Sequence, residues 1–225
     1  TIAHNTIELC FEVPRRLRFT SGQYLEWTLP HKDRDARGIR RYFTIASAPE
    51  ETELKIGVRV AEEGSSFKRT LQNLKTGDHI YATARAGDFV LSEKSDTKYL
   101  FVAGGIGITP FVSHVRHTLA TDAQFDAVLL YCNKTEQDIA YHELFTEAAS
   151  SGLVTHHILS EPTEAWSGLR GFITEAMLKE QVADYQGRVC YISGPPAMVG
   201  AYTTLLRKLG VPAQNIKVDY FPGLA

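Results

Sequence analysis

Cysteine is scarce in this chain: Cys10, Cys132 and Cys190 are the only three among 225 residues, far apart and each set in an apolar run. That spacing supports neither a metal knuckle nor a disulfide framework, and it excludes a built-in iron–sulfur module, which takes about four cysteines, several of them closely grouped. A reducing, cytoplasmic setting is the expectation. Charge of one sign is lacking too. A formal net charge of −2 leaves no footprint for neutralising nucleic-acid phosphates, so nucleic acid is not an expected partner. No run approaches the ~20 apolar residues that span a bilayer, and the opening TIAHNTIELCFEV lacks the charged-then-apolar order of a signal peptide. What is present is ordinary and globular: 44% hydrophobic and 22% charged residues, in a length that suits one large or two small domains.

Periodicity divides the chain. Up to about Leu91, short β runs (TIELCFEV, QYLEWTL, RRYFTIAS, ELKIGVRV, DHIYATA) alternate with turn signals such as Ser21-Gly22 and Thr76-Gly77-Asp78, which predicts a small antiparallel barrel. One helix is expected within it, from Ser65 to Leu74, with Phe67, Leu71 and Leu74 on one face. The polar run SEKSDTK, from Ser92 to Lys98, is a linker, and beyond it buried strands (YLFVAG, AVLLYCN, LVTHHIL, RVCYISG, IKVDYF) alternate with helical segments near 109–121, 136–150, 174–182 and 196–209. That alternation predicts a parallel α/β sheet, which binds ligands at the carboxyl ends of its strands. The expected domains are therefore 1–94 and 95–225.

Four motifs stand at positions where such folds bind ligands. Gly104-Gly105-Ile106-Gly107-Ile108-Thr109-Pro110 follows a strand and opens a helix, so its glycines allow close backbone approach and its helix start offers free N–H groups to a pyrophosphate. Pro110 suits a first helical turn, although the dinucleotide fingerprint wants glycine there. Ser193-Gly194-Pro195-Pro196-Ala197-Met198 is a second glycine-bearing strand end of the same sheet; alone, it reads equally as a plain turn. In the barrel half, Arg40 to Ser47 carries Arg41 for a phosphate, Tyr42 for a ring and Thr44 for a heterocycle edge, with Tyr42 and Thr44 on one face and Arg41 on the other. Snorkelling arginines on an ordinary strand are the alternative. Gly64-Ser65-Ser66-Phe67 opens the barrel helix, either as an N-cap or as an anion site. The run His31 to Arg41 (HKDRDARGIRR) reads most simply as a solvated hairpin loop. His114 and His117, three apart, find no further ligand at metal spacing, and Thr146 stands where a zinc-protease helix starting at His142-Glu143 needs its second histidine.

In order, RRYFTIAS, GVRV, GSSF, GGIGITP, SGPPAM and a terminal acid-x-aromatic (Asp219, Phe221) resemble the ferredoxin–NADP reductase superfamily over nearly the whole chain. The resemblance implies an FAD-binding antiparallel β-barrel followed by an NAD(P)-binding α/β domain, which is the division found from periodicity. It implies that Arg41 holds the flavin pyrophosphate, that Tyr42 packs on flavin and ribityl, and that Thr44 faces the flavin N5 edge. Phe43, Val58 and Val60 fall on cofactor-binding strands of that family, and Gly64, Ser65 and Ser66 on its FAD phosphate cap. Gly104, Gly105, Gly107, Thr109 and Pro110 resemble its nicotinamide dinucleotide loop. Asn133 and Lys134 stand at the end of the second strand, where a ribose or its 2′-phosphate is read. Gly194, Pro195 and Met198 belong to the turn beside the nicotinamide. Thr44, Ser193, Asp219 and Phe221 are the implied catalytic residues, Phe221 stacking near the isoalloxazine. Many members carry Ser in place of Thr44 and Cys in place of Ser193, and some have Glu in place of Asp219, changes that bear on rate and proton path. No metal is implied.

The activity implied is a flavoprotein oxidoreductase that accepts hydride from NADH or NADPH onto FAD and passes electrons to an external or fused redox partner. A flavin reductase using free flavin as substrate and a non-catalytic dinucleotide-binding subunit are the rivals. Members of the family have one more strand before the run matching TIELCFEV, so the chain is expected to be part of a longer polypeptide, with any membrane attachment supplied by that parent.

Overall fold

The computed structural model describes residues 1–32, 34–60, 64–92, 94 and 96–220. Its antiparallel half comprises β1 (Thr6–Glu12), β2 (Tyr24–Thr28), β3 (Arg40–Thr44), β4 (Glu53–Arg59) and β5 (Tyr81–Ala86). β1 pairs with β4, and β2 lies between β3 and β5, every pairing antiparallel. Among the described residues these strands form two sheets wrapped on one core of Trp27, Ile45, Ile56, Phe67 and Leu71. The chain passes from one sheet to the other just after β3, where Ile45 N–H bonds Gln23 O (3.0 Å) and Ala46 N–H bonds Lys55 O (2.8 Å). β5 starts at Tyr81 rather than at Asp78, because the Asp78 carboxylate closes the preceding turn by accepting from Lys75 N–H at 2.8 Å. Helix α1 (Ser66–Gln72) is capped by Ser65, whose Oγ accepts from Lys68 N–H, and it buries Phe67 and Leu71.

The second half is one parallel sheet. Its strands are β6 (Lys98–Gly104), β7 (Asp126–Asn133), β8 (Leu153–Leu159), β9 (Leu169–Arg170), β10 (Val189–Gly194) and β11 (Ile216–Tyr220), in the order β11-β10-β6-β7-β8-β9. Helices α2 (Thr109–Ala120) and α3 (His142–Glu147) cover one face with Phe101, Phe111, Leu129 and Phe145 between them; α4 (Glu175–Gln181) and α5 (Pro196–Lys208) cover the other with Leu100, Leu130, Ile192 and Val199. Because β6 is flanked by β7 on one side and β10 on the other, the crossovers diverge at β6. A crevice opens above its carboxyl end. Two expectations need correction. The helix expected over 136–150 is three pieces, since Thr135 and Asp138 close a capping box and Tyr141 adopts φ 59°, which no continuous helix permits. The two-residue edge strand β9 was not expected at all.

Helix α2 fastens the halves together. Ser113 Oγ donates to Ser47 O (2.7 Å), Arg116 donates to Ala46 O (2.9 Å) and pairs with Glu8 (3.0 Å), and Tyr191 Oη donates to Val90 O (2.6 Å). His114 is buried at this seam, with Nε2 3.2 Å from Phe89 O. Burial, assisted by the charge of His117, drops its pKa from the ordinary 6.5 to about 3. A depressed folded pKa means that stability is complete above the unfolded value and drains away as pH falls. Between pH 6.5 and 4.5 the loss is about 2 kcal/mol, because the slope reaches 1.4 kcal/mol per unit only well below 6.5. Urea unfolding at the two pH values should show that drop in the natural chain and a clearly smaller one in His114→Gln; equal drops would remove His114 as the cause.

Candidate functional site

The glycine turn after β6 is a 3-10 turn, Gly105–Ile108, running directly into α2 with Pro110 in its first turn. Gly105 needs the left-handed region, at φ 51°. At Gly107 a Cβ would lie 2.5 Å from Ser193 O and 2.6 Å from Gly194 Cα, and at Gly104 it would lie 2.4 Å from the Met198 sulfur. The two glycine-bearing strand ends therefore touch, and only hydrogen side chains let them do so. Pro195 completes the second turn as the N-cap position of α5. Thr109 is buried and its Oγ1 donates to Ile106 O, which ties the helix start to the turn.

Polar side chains without partners collect along this crevice. Ser193 is buried and its Oγ has no hydrogen-bond partner among the described residues. Across the parallel ladder Ser193 faces Asp219, whose carboxyl is pushed up by burial and by the negative charge of Asp88. Asn133, at the end of β7, is buried with neither amide atom partnered among the described residues. It lines a small cleft with Thr6, Arg59, Gly105, Ile106 and Asp138. Lys134 points instead into solvent, with Glu161 at 3.6 Å.

On the barrel side, β3 alternates as its sequence requires. Arg41 and Phe43 turn inward against Phe67, the guanidinium 5.3 Å over that ring, while Tyr42 is 64% exposed beside Tyr24. Thr44 shares Tyr42's parity but is buried. Arg41 Nη1 donates to the carbonyls of Arg37, Gly38 and Arg40, and Nη2 lies 3.5 Å from Asp35 without a hydrogen bond. Gly64, Ser65 and Ser66 are buried at the start of α1; Arg69 donates to Gly64 O, and Ser66 N–H donates to Asp35 Oδ2 at 2.9 Å. The helix also carries Lys68, pushed down first by burial and then by the cations Arg37, Arg59 and Arg41.

Val58 and Val60 are core residues, 1% and 5% exposed, so only their backbone is open to a cofactor. The β4 residue that faces the crevice is Arg59, 3.7 Å from Asp138 and directed at the Gly105 turn. Strict alternation in GVRV carries that signal, since flanking valines turned inward leave the arginine outward. Phe221 lies outside the described residues.

These features fit two dinucleotides. A guanidinium nitrogen that lacks a hydrogen bond among the described residues and four crowded cations near α1 suit a diphosphate, an exposed tyrosine on β3 suits a flat ring, and two hydrogen-only turns with an amide unpartnered among the described residues suit a second dinucleotide.

Comparison with known proteins agrees on both halves. The family model for the oxidoreductase FAD-binding domain matches residues 1–90, and that for the oxidoreductase NAD-binding domain matches 101–204. The glycine betaine monooxygenase reductase subunit of Chromohalobacter salexigens is 28% identical over 223 residues, covering 94% of this chain and 59% of the relative. The chain thus spans about three fifths of the length of such relatives. Among solved structures, the cytochrome P450 reductase GcoB of Amycolatopsis superposes with a TM-score of 0.85 at 26% identity, over 98% of this chain and 66% of that one. The flavohem-like FAD/NAD-binding domain of a Vibrio cholerae nitric oxide dioxygenase has a TM-score of 0.85 at 21% identity, over 98% and 94%, a likeness of fold.

Proposed function

The chain belongs to the ferredoxin–NADP reductase superfamily, with an FAD-binding and an NAD-binding oxidoreductase domain, and from that premise we propose that it is the electron-transfer reductase part of a redox system. It accepts reducing equivalents from NADH or NADPH and hands them to a redox protein or a fused redox module. The observation that carries this reading is the contact between the two glycine turns, at Gly104–Gly107 and Ser193–Gly194, beside Arg59 of the barrel strand β4.

Bound FAD would supply the chemistry of taking hydride from a nicotinamide and releasing electrons onward. The chain's own residues bind, orient and exclude water. Arg41, with Ser65 and Ser66 at the helix start, holds the diphosphate, and Tyr42 with Thr44 holds the ring system. Gly104, Gly105, Gly107, Thr109 and Pro110 seat the nicotinamide dinucleotide, Asn133 reads its ribose or base, and Gly194, Pro195 and Met198 wall the reacting end. Ser193 Oγ, without a partner among the described residues, is the donor that orients that end in this reading. The Asp219 carboxyl keeps its proton to higher pH than usual, so it can serve the flavin edge as a proton store. Phe221 follows it as the shielding aromatic. Lys134, held near Glu161, offers the 2′-phosphate only a compensated charge.

The similarity to reductase subunits of monooxygenases makes an oxygenase or its electron carrier the class of partner in this reading. No helix among the described residues is long and apolar enough to cross a membrane. Three free cysteines, two of them shielded, suit a cytoplasmic setting. The limit between the two domains is proposed at 94/95, within the polar run SEKSDTK. Retention of flavin through gel filtration and its bleaching by anaerobic NADH or NADPH test the whole reading.

A further inference from the structure

The two groups assigned above to the flavin diphosphate, the Arg41 guanidinium and the Ser66 N–H, are both engaged by one carboxylate of the chain itself. Asp35 sits in the loop between β2 and β3. Its Oδ2 accepts from Ser66 N–H at 2.9 Å, its Oδ1 lies 3.5 Å from Arg41 Nη2, and Arg37 approaches to 3.9 Å. The loop is latched a second time through the Ser66 side chain: Asp35 N–H donates to Ser66 Oγ at 3.0 Å, and His31 Nε2 meets the same oxygen at 2.9 Å while its Nδ1 meets Leu29 O at 2.7 Å. Nδ1 must donate to a carbonyl, so Nε2 is the acceptor and Ser66 Oγ–H points at it. Every hydrogen of Ser66 is thereby used by this loop.

Resting on the FAD reading above, we propose that Asp35 is a resident anion in the phosphate cradle, which FAD has to displace, so that this loop sets the affinity for the flavin dinucleotide. A backbone N–H has one hydrogen and serves one acceptor at full strength, so Asp35 and a phosphate oxygen compete for Ser66. The corner still attracts more negative charge than one carboxylate provides. Arg41 Nη2 has no hydrogen bond among the described residues, and Lys68 is depressed by burial and then by the nearby charges of Arg37, Arg59 and Arg41. A diphosphate brings two charges and several acceptor oxygens, and so it wins the exchange, but at an affinity lowered by the fraction of chains in which the loop is latched. The sequence places Asp35 in a run that resembles an ordinary solvated loop; its inward contacts with α1 are what give it this role.

The test is a fluorescence-quenching titration of the flavin-stripped full chain with FAD and, separately, with riboflavin, which has the ring and no phosphate. Asp35→Asn keeps the shape and removes the charge, and Asp35→Ala removes both contacts. Both variants should bind FAD roughly tenfold more tightly than the natural chain, the size expected where the competent state is about one tenth populated. Riboflavin affinity should be the same in all three. Unchanged or weaker FAD binding would overturn the proposal and make Asp35 a positioning partner of Arg41. Equal tightening toward FAD and riboflavin would overturn it as well, since a general loosening would then be the cause. If none of the three chains binds either flavin, the functional reading itself falls and takes the proposal with it.

Discussion

Gly107→Ala should yield a chain that still folds and still holds FAD but is reduced by NADH or NADPH roughly 100-fold more slowly, the order of loss that a misplacement of about 1 Å produces. The reason is local and steric. An added Cβ meets the Ser193 carbonyl oxygen at 2.5 Å and Gly194 Cα at 2.6 Å, both backbone atoms that have no rotamer to escape into. Either the turn after β6 or the turn after β10 must move, and those two turns bound the crevice proposed above for the nicotinamide. The three atoms nearest the added Cβ all belong to the turn after β10 and none to the barrel half. Gly200→Ala is the matched control: it lies within α5, where a Cβ meets nothing within 4 Å, so it should leave reduction alone and stabilise the helix by roughly 0.5–1 kcal/mol. Stopped-flow measurement of flavin bleaching compares the three chains. Equal rates would show that the contact between the turns does not shape the crevice.

Arg41→Ala is expected to weaken FAD binding by about 100-fold, the equivalent of some 2–3 kcal/mol for lost charge-assisted hydrogen bonds, while riboflavin binding changes little. Arg41→Lys should recover only part of it, because an ammonium cannot present the planar fork that meets two phosphate oxygens at once. Arg41 also fastens the loop through the carbonyls of Arg37, Gly38 and Arg40. A double-mutant cycle with Asp35→Asn separates the two roles: the gain from Asp35→Asn should shrink when Arg41 is already alanine, since the residues share one contact. Additive effects would mean that they act on FAD independently. Equal losses for FAD and riboflavin in Arg41→Ala would remove Arg41 from the diphosphate.

Periodicity carried the architecture because both halves bury their strands in ways that leave a pattern. The runs YLFVAG and AVLLYC are near-continuously apolar since β6 and β7 are covered on both faces, and the shift from alternation to such runs falls at the polar segment 92–98. The glycine turns were legible for a similar reason, since a strand end followed by glycines and a helix start has few other uses. Three features were not. The break at Tyr141 depends on a left-handed backbone at a residue with no propensity for it, imposed by the fold around it. Alternation sends Arg59 to the face opposite its valine neighbours, but nothing in the sequence says that this face meets the Gly105 turn. Asp35 lies in a charged run whose composition matches any solvated loop, and its role arises from contacts with residues 31 positions away. Contacts at that range leave no periodic trace.

The measurement closest to the central claim is an anaerobic titration of the FAD-loaded chain, passed first through gel filtration, with NADH and then with NADPH. The account predicts that the yellow chromophore stays with the protein and that its absorbance bleaches, complete at about one nicotinamide per flavin, as a two-electron transfer requires. Flavin that separates on the column yet is reduced in solution would contradict it in favour of a free-flavin reductase. Flavin that stays bound and is bleached by neither nucleotide would contradict it outright, leaving a binding subunit without chemistry.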